Sequence, residues 1–231
     1  MDKEASEILI LRPTSVFLSF LASQLPQSHL PSSDTLKVDN TAYIIRKHAS
    51  DEGTLAEIER FYPKMFRHEI SRWLGVNARN EIERSYLDFL CCFRLEFHSH
   101  YVLLEPSFEC AKNMLLFRPQ PKLLHWLQHI AEQEDMVELI EDVTIEQVAE
   151  NSTVLLRNFV KITEIKPFLL LYYESIFATL MSRISNRKSE WPKINSFRDF
   201  NQYFSVEIHT QLHDLRTSQR FSKENSIFRR S

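Results

Sequence analysis

Glycine is nearly absent from this chain: its 231 residues include only Gly53 and Gly75. A Walker A loop, a dinucleotide fingerprint and a kinase glycine loop each need closely spaced glycines, which let backbone approach a phosphate. All three are excluded. Tight hairpins also draw on glycine and on Asn-Gly turns, so the shortage favours helices over a hairpin-rich sheet protein. The G-x-S-x-G elbow of the serine hydrolases is missing too.

Cysteine is also scarce. Cys91, Cys92 and Cys110 are an odd number with a vicinal pair, a poor disulfide framework. Buried thiols in a reducing compartment are the expectation. The formal net charge of -3 provides no general attraction to nucleic acid or to acidic membranes. Met1-Asp2-Lys3-Glu4 is acidic, without the apolar core of a cleaved signal peptide. Asn151-Ser152-Thr153 matches a glycosylation acceptor but reads here as a helix start. The most apolar stretch, Lys166 to Ile184, is interrupted by Glu174 and followed by Arg187 and Lys188. It falls short of the roughly 20 apolar residues of a membrane span. It predicts a central core helix that starts at Pro167, in a cytoplasmic protein with no transmembrane segment.

What the chain has in plenty is phenylalanine, 17 residues, at helical spacing. The pattern predicts a mainly α protein: one globular multi-helix domain over 1–218, a basic flexible tail over 219–231, and a minor β element of two or three strands near the N-terminus. The strands are expected at Glu7–Leu11 and Thr41–Lys47; residues 98–104 read equally as helix or strand. Thr54-Leu-Ala-Glu57 and Thr144-Ile-Glu-Gln147 are capping boxes that start helices, Pro63 restarts one, and Gly75 suits a C-cap. Apolar residues at three- and four-residue steps predict helices over 82–97, 123–131, 154–162 and 197–215, and Ser107 caps another through Phe117. No internal repeat and no linker is evident.

No residue pattern designates a catalytic group or a bound cofactor. His125 and His129 share a helix face with Glu132, the spacing of some zinc ligands. The glutamate of H-E-x-x-H is missing between them, and they lie opposite the apolar stripe, so the expectation is no metal. His98, His100, Cys91 and Cys92 cluster in sequence, but the cysteines sit on a dense apolar stretch and read as core. For a protein partner the candidates are Phe197, Phe200 and Phe204 as aromatic anchors, with Arg220, Arg229 and Arg230 of the tail steering an acidic surface. The tail is too short and interrupted to make a nucleic-acid site.

Through the stretches 82–97, 123–131 and 197–215, this glycine-poor, phenylalanine-rich chain resembles the small helical accessory subunits of the bacterial type IVB (Dot/Icm) coupling complex. The resemblance is one of composition and carries over no site residues. It implies a non-catalytic cytoplasmic subunit that docks on a coupling ATPase and helps receive secretion substrates. From the residues alone, the expectation is an interaction or adaptor protein in a multi-subunit complex. The alternatives are an enzyme with a dispersed, metal-assisted site using His125 and His129, and a bacterial effector acting in a host cell.

Overall fold

The computed structural model describes residues 5–26, 39–75, 85–133 and 142–216. It is 52% helical and 23% strand, with two four-stranded mixed sheets, which overturns the mainly α expectation. The described chain contains β1 (Ser6–Pro13), α1 (Ser15–Gln24), β2 (Ala42–Arg46), α2 (Asp51–Leu74), α3 (Tyr86–Cys92), β3 (Phe93–His98), β4 (Tyr101–Leu103), β5 (Asn113–Pro119), α4 (Pro121–Gln133), α5 (Ile145–Ala149), β6 (Val154–Arg157), α6 (Ile165–Ile184), α7 (Phe197–Tyr203), β7 (Phe204–His209) and β8 (Leu212–Asp214).

Two compact units divide the chain: residues 1–99 with 209–231, and residues 100–208. One boundary falls in the connector Ser99-His100 between β3 and β4 and the other before the last residue of β7; neither carries linker composition. The first unit holds the sheet β3-β1-β2-β8 and the second holds β4-β6-β5-β7. β1 lies antiparallel to β2 and β3, and β8 joins β2 in parallel. In the second unit β5 is antiparallel to β6, and β4 joins β6 in parallel.

These two sheets are the same motif twice. Leaving aside β4, β8 and the short α5, each unit runs strand, helix, strand, long helix, short helix, strand, and the registers agree. Leu9 faces Tyr43 as Leu115 faces Leu155, and Tyr43 faces His213 as Leu155 faces Val102. Ser85 and Ser196 both cap a helix whose third residue is an aspartate, Asp88 or Asp199. Phe66 meets the rings of Phe89 and Phe93 edge-on, as Phe177 meets Phe200 and Phe204. An arginine before a proline pairs with the last strand in both: Arg12 Nε to Glu96 Oε2 at 2.8 Å, and Arg118 Nε to Glu207 Oε1 at 2.6 Å. The sequence follows suit once aligned: Ser85-x-x-Asp88-Phe89 and Phe93-x-x-Glu96-x-His98 recur as Ser196-x-x-Asp199-Phe200 and Phe204-x-x-Glu207-x-His209. A repeat is therefore present where none was evident. It is reciprocally exchanged: β4 follows the first motif but pairs in the second unit, and β8 follows the second motif but pairs in the first.

Several predicted helices are spliced elements. The stretches 82–97 and 197–215 each join a short helix to a strand, and 107–117 and 154–162 contain β5 and β6. Phe93, Leu95 and Phe97 alternate at the strand period, as do Phe204, Val206 and Ile208, and each run continues a three- and four-residue rhythm by chance of position. Of residues 98–104, His98 ends β3 and Tyr101–Leu103 form β4, with Ser99 and His100 between them. Pro63 lies inside the continuous helix α2, whose N-cap is Ser50 and not Thr54; Gly75, at φ 83°, follows its end. The box at Thr144 and Gln147 caps α5, whereas Asn151 takes a positive φ of 52° in a turn before β6. The tail 219–231 lies outside the described residues.

Each unit has its own apolar core. In the first, Leu9, Leu11, Tyr43 and Ile45 of the sheet meet Phe17, Ile58, Phe66 and Ile70 of the helices. In the second, Leu115, Phe117 and Leu155 meet Phe168, Phe177, Leu180 and Met181.

Candidate functional site

Helix α6 was expected to be buried on every side, and it is not. Pro167 stands in its first turn, where its missing N–H leaves no intrahelical bond unmade. Phe168, Leu169, Ile176, Phe177, Leu180 and Met181 face the core. Leu170, Leu171 and Tyr172 are exposed, Leu171 at 72%. Val160 and Ile162, in the segment leading into the helix, are exposed at 80% and 63%. Large apolar side chains that stay in water singly need no explanation, but a run of them does.

Beside this face the second unit opens. A cavity of about 530 Å³ lies between the sheet and α6, lined by Val102, Phe117 and Leu155 from the strands and by Ile176, Thr179 and Leu180 from the helix. Leu104 and Tyr172, both exposed, also line it. Its polar edge is Glu105 and Arg157. Asn158 donates its backbone N–H to Glu105 Oε1 at 2.9 Å. The Arg157 guanidinium lies over Phe168, 4.5 Å from the ring centroid, and 5.2 Å from that of Phe159. A second cavity of about 490 Å³ shares Phe117, Thr153 and Leu180 with the first and reaches His100 and Arg183, which contact each other.

The first unit fills the equivalent space with polar and aromatic groups. Tyr43 stacks against His68 and His213, with centroids 6.1 and 5.7 Å away, and the two imidazoles are 4.4 Å apart. Glu69 is buried beneath them, at 2% exposure. Burial pushes its carboxyl up to about 7, against the opposing pull of hydrogen bonds from Thr41 and Tyr43 and of the Arg72 charge. Tyr43 is raised well above its usual value, first by burial and then by Glu69. Arg72 bonds Asp39 Oδ2 at 2.9 Å and donates to Thr41 Oγ1 at 3.3 Å. A carboxyl near neutrality beside histidines is the usual equipment of acid–base catalysis. Here Glu69 and Tyr43 are both closed to solvent, so the cluster reads as a packed polar core.

The residues singled out in the sequence are dispersed. His125 and His129 are exposed on α4; His129 Nδ1 lies 3.7 Å from Glu132 Oε2. Among the described residues no group of three or more His, Cys, Asp or Glu side chains converges as a metal site would. Phe200 and Phe204 are buried in the second core, and half-buried Phe197 stacks on Phe200. Phe200 and Phe204 are packed inside the fold, whereas Phe197 keeps part of its ring at the surface. Arg220, Arg229 and Arg230 lie outside the described residues. Cys92 is buried, while Cys91 and Cys110 are exposed, contrary to the expectation of buried thiols. No helix of the described residues is long and apolar enough to cross a membrane.

Sequence reasoning missed the cavity because its lining comes from four separate elements. The one available signal was the run Leu169-Leu170-Leu171-Tyr172-Tyr173, too apolar all round for a helix with only one buried face. Comparison with family models, with curated proteins and with solved structures finds no match to this chain.

Proposed function

We propose that this chain is a non-catalytic interaction subunit whose partner surface lies on the second unit, along the outer face of α6 and the mouth of the adjoining cavity. The observation that carries the reading is the run Leu170, Leu171 and Tyr172, left in water next to an open apolar cavity. Protein-binding surfaces combine exposed apolar and aromatic side chains with a pocket for an anchor. An enzymatic reading at Glu69, a carboxyl raised to about 7, is disfavoured by its burial. A cytoplasmic multi-subunit complex is the setting we favour. The type IVB coupling complex, with a docked subunit that helps receive secretion substrates, is the particular form that the compositional resemblance supports.

The test is affinity purification of the full chain from its native cells, beside the variant Leu171→Glu. The expected result is a fixed set of partners on the parent chain, lost from the variant while its unfolding midpoint stays unchanged. Equal recovery on both chains would overturn the placement of the surface on α6.

A further inference from the structure

The exchanged repeat says what kind of group the open cavity takes. Phe66 and Phe177 occupy the same place in the two units, which makes His68 equivalent to Thr179 and Glu69 to Leu180. Strand registers make Tyr43 equivalent to Leu155 and His213 to Val102. The three rings that stack in the first unit are thus Leu155, Thr179 and Val102 in the second, and all three line the cavity. The cavity is the place where one unit of this chain keeps aromatic rings and the other has smaller side chains.

We propose that this cavity receives an aromatic side chain from an acidic segment of a partner protein. The inference rests on the interaction reading above. The position is shaped for a flat ring, because the same backbone frame holds Tyr43 there in the first unit. The walls Phe117, Ile176 and Leu180 supply apolar and edge contacts for it, and Thr153 and Thr179 supply hydroxyls for a phenol or indole. At the edge the Glu105 carboxylate accepts the Asn158 backbone N–H, while the Arg157 guanidinium, stacked on Phe168, favours a carboxylate next to the inserted ring. Leu104 and Tyr172 on the lining, and Leu171 beyond, extend the apolar surface past the volume of one ring, as a chain segment needs and a free small molecule does not.

The probes are three capped pentapeptides, Asp-Glu-Trp-Glu-Asp, Asp-Glu-Ala-Glu-Asp and Lys-Lys-Trp-Lys-Lys, together with free indole-3-acetate, titrated into the full chain and followed by nuclear magnetic resonance shifts. The acidic tryptophan peptide should bind at least about tenfold more tightly than each of the other three. Leu155→Tyr, which restores the ring of the first unit, should weaken it by about tenfold or more, and Arg157→Gln should weaken it and flatten its salt dependence. Arg157 is at the cavity edge, so its variant keeps the test open if the core variant fails to fold. Tryptophan and alanine peptides of equal affinity would sink the proposal, as would indole-3-acetate binding as tightly as the peptide, which would make this a small-molecule pocket. The purification above then separates the two claims. If Leu155→Tyr still recovers the partners that Leu171→Glu loses, the cavity is not the anchor site and the interaction surface stands. If neither variant changes recovery, both fall.

Discussion

At the scale of the residue, Glu69 makes the pH behaviour of the first unit testable. Its carboxyl holds a proton up to about 7 when folded, against 4.5 as the ordinary value. Between those two values the native state therefore binds more protons than the unfolded state, so this contribution to stability falls as pH rises through the window. The change corresponds to roughly 3 kcal/mol. Unfolding by denaturant at pH 4.5 and 7.5 should show the parent losing stability over that range relative to Glu69→Gln, which cannot ionise. Parallel pH profiles would mean that Glu69 is ionised in the folded protein. The sequence alone does not show this, since Glu69 lies on a helix between Arg67 and Arg72. Only the packing of α2 onto β2 puts its carboxyl under Tyr43.

At the scale of the element, the two long helices play one part in two cores. Phe66 on α2 and Phe177 on α6 each wedge against the rings of a short helix and the strand that follows it. Truncation of either to Ala removes a buried ring and leaves a cavity, at a cost of about 3–5 kcal/mol. Chemical unfolding of each variant measures this, and a loss below about 1 kcal/mol would show that the ring is not packed. Leu171→Glu on the outer face of α6 should change stability by less than about 0.5 kcal/mol. The existence of α6 was plain from its composition and Pro167, and so was that of α4, β1 and β2. The strands β3, β5, β6 and β7 were not, because aromatic and leucine residues serve helices and strands alike and the helical spacing ran across the junctions Cys92–Phe93 and Tyr203–Phe204.

At the scale of the whole molecule, the exchange of β4 and β8 separates the repeat of the sequence from the unit of the structure. A fragment of residues 100–209 carries all of β4, β6, β5 and β7 with their helices, so it should fold cooperatively alone. A fragment of residues 111–216 holds one uninterrupted repeat, but it ends in β8, whose partner β2 is missing, and it leaves β6 without β4 at an open edge. It should be less stable and more prone to associate. Thermal unfolding by circular dichroism, with sedimentation of both fragments, tests this; equal stability would show that β4 contributes nothing to the second unit.

The sequence by itself excluded phosphate-cradling loops, because two glycines cannot build them, and it placed the ends of several helices, because caps and prolines act within a few residues. It also contained the duplication, in the paired Ser-x-x-Asp-Phe and Glu-x-His patterns, though short matches amid divergent residues stood out only once the sheets were aligned. Tertiary structure decided the rest. Which strand pairs with which is a choice among distant segments, and no local spacing encodes that β8 returns to β2. The same choice determines that three stacked rings fill one unit and that the equivalent positions in the other leave a cavity open, since a cavity is a property of side chains from several elements meeting around a space.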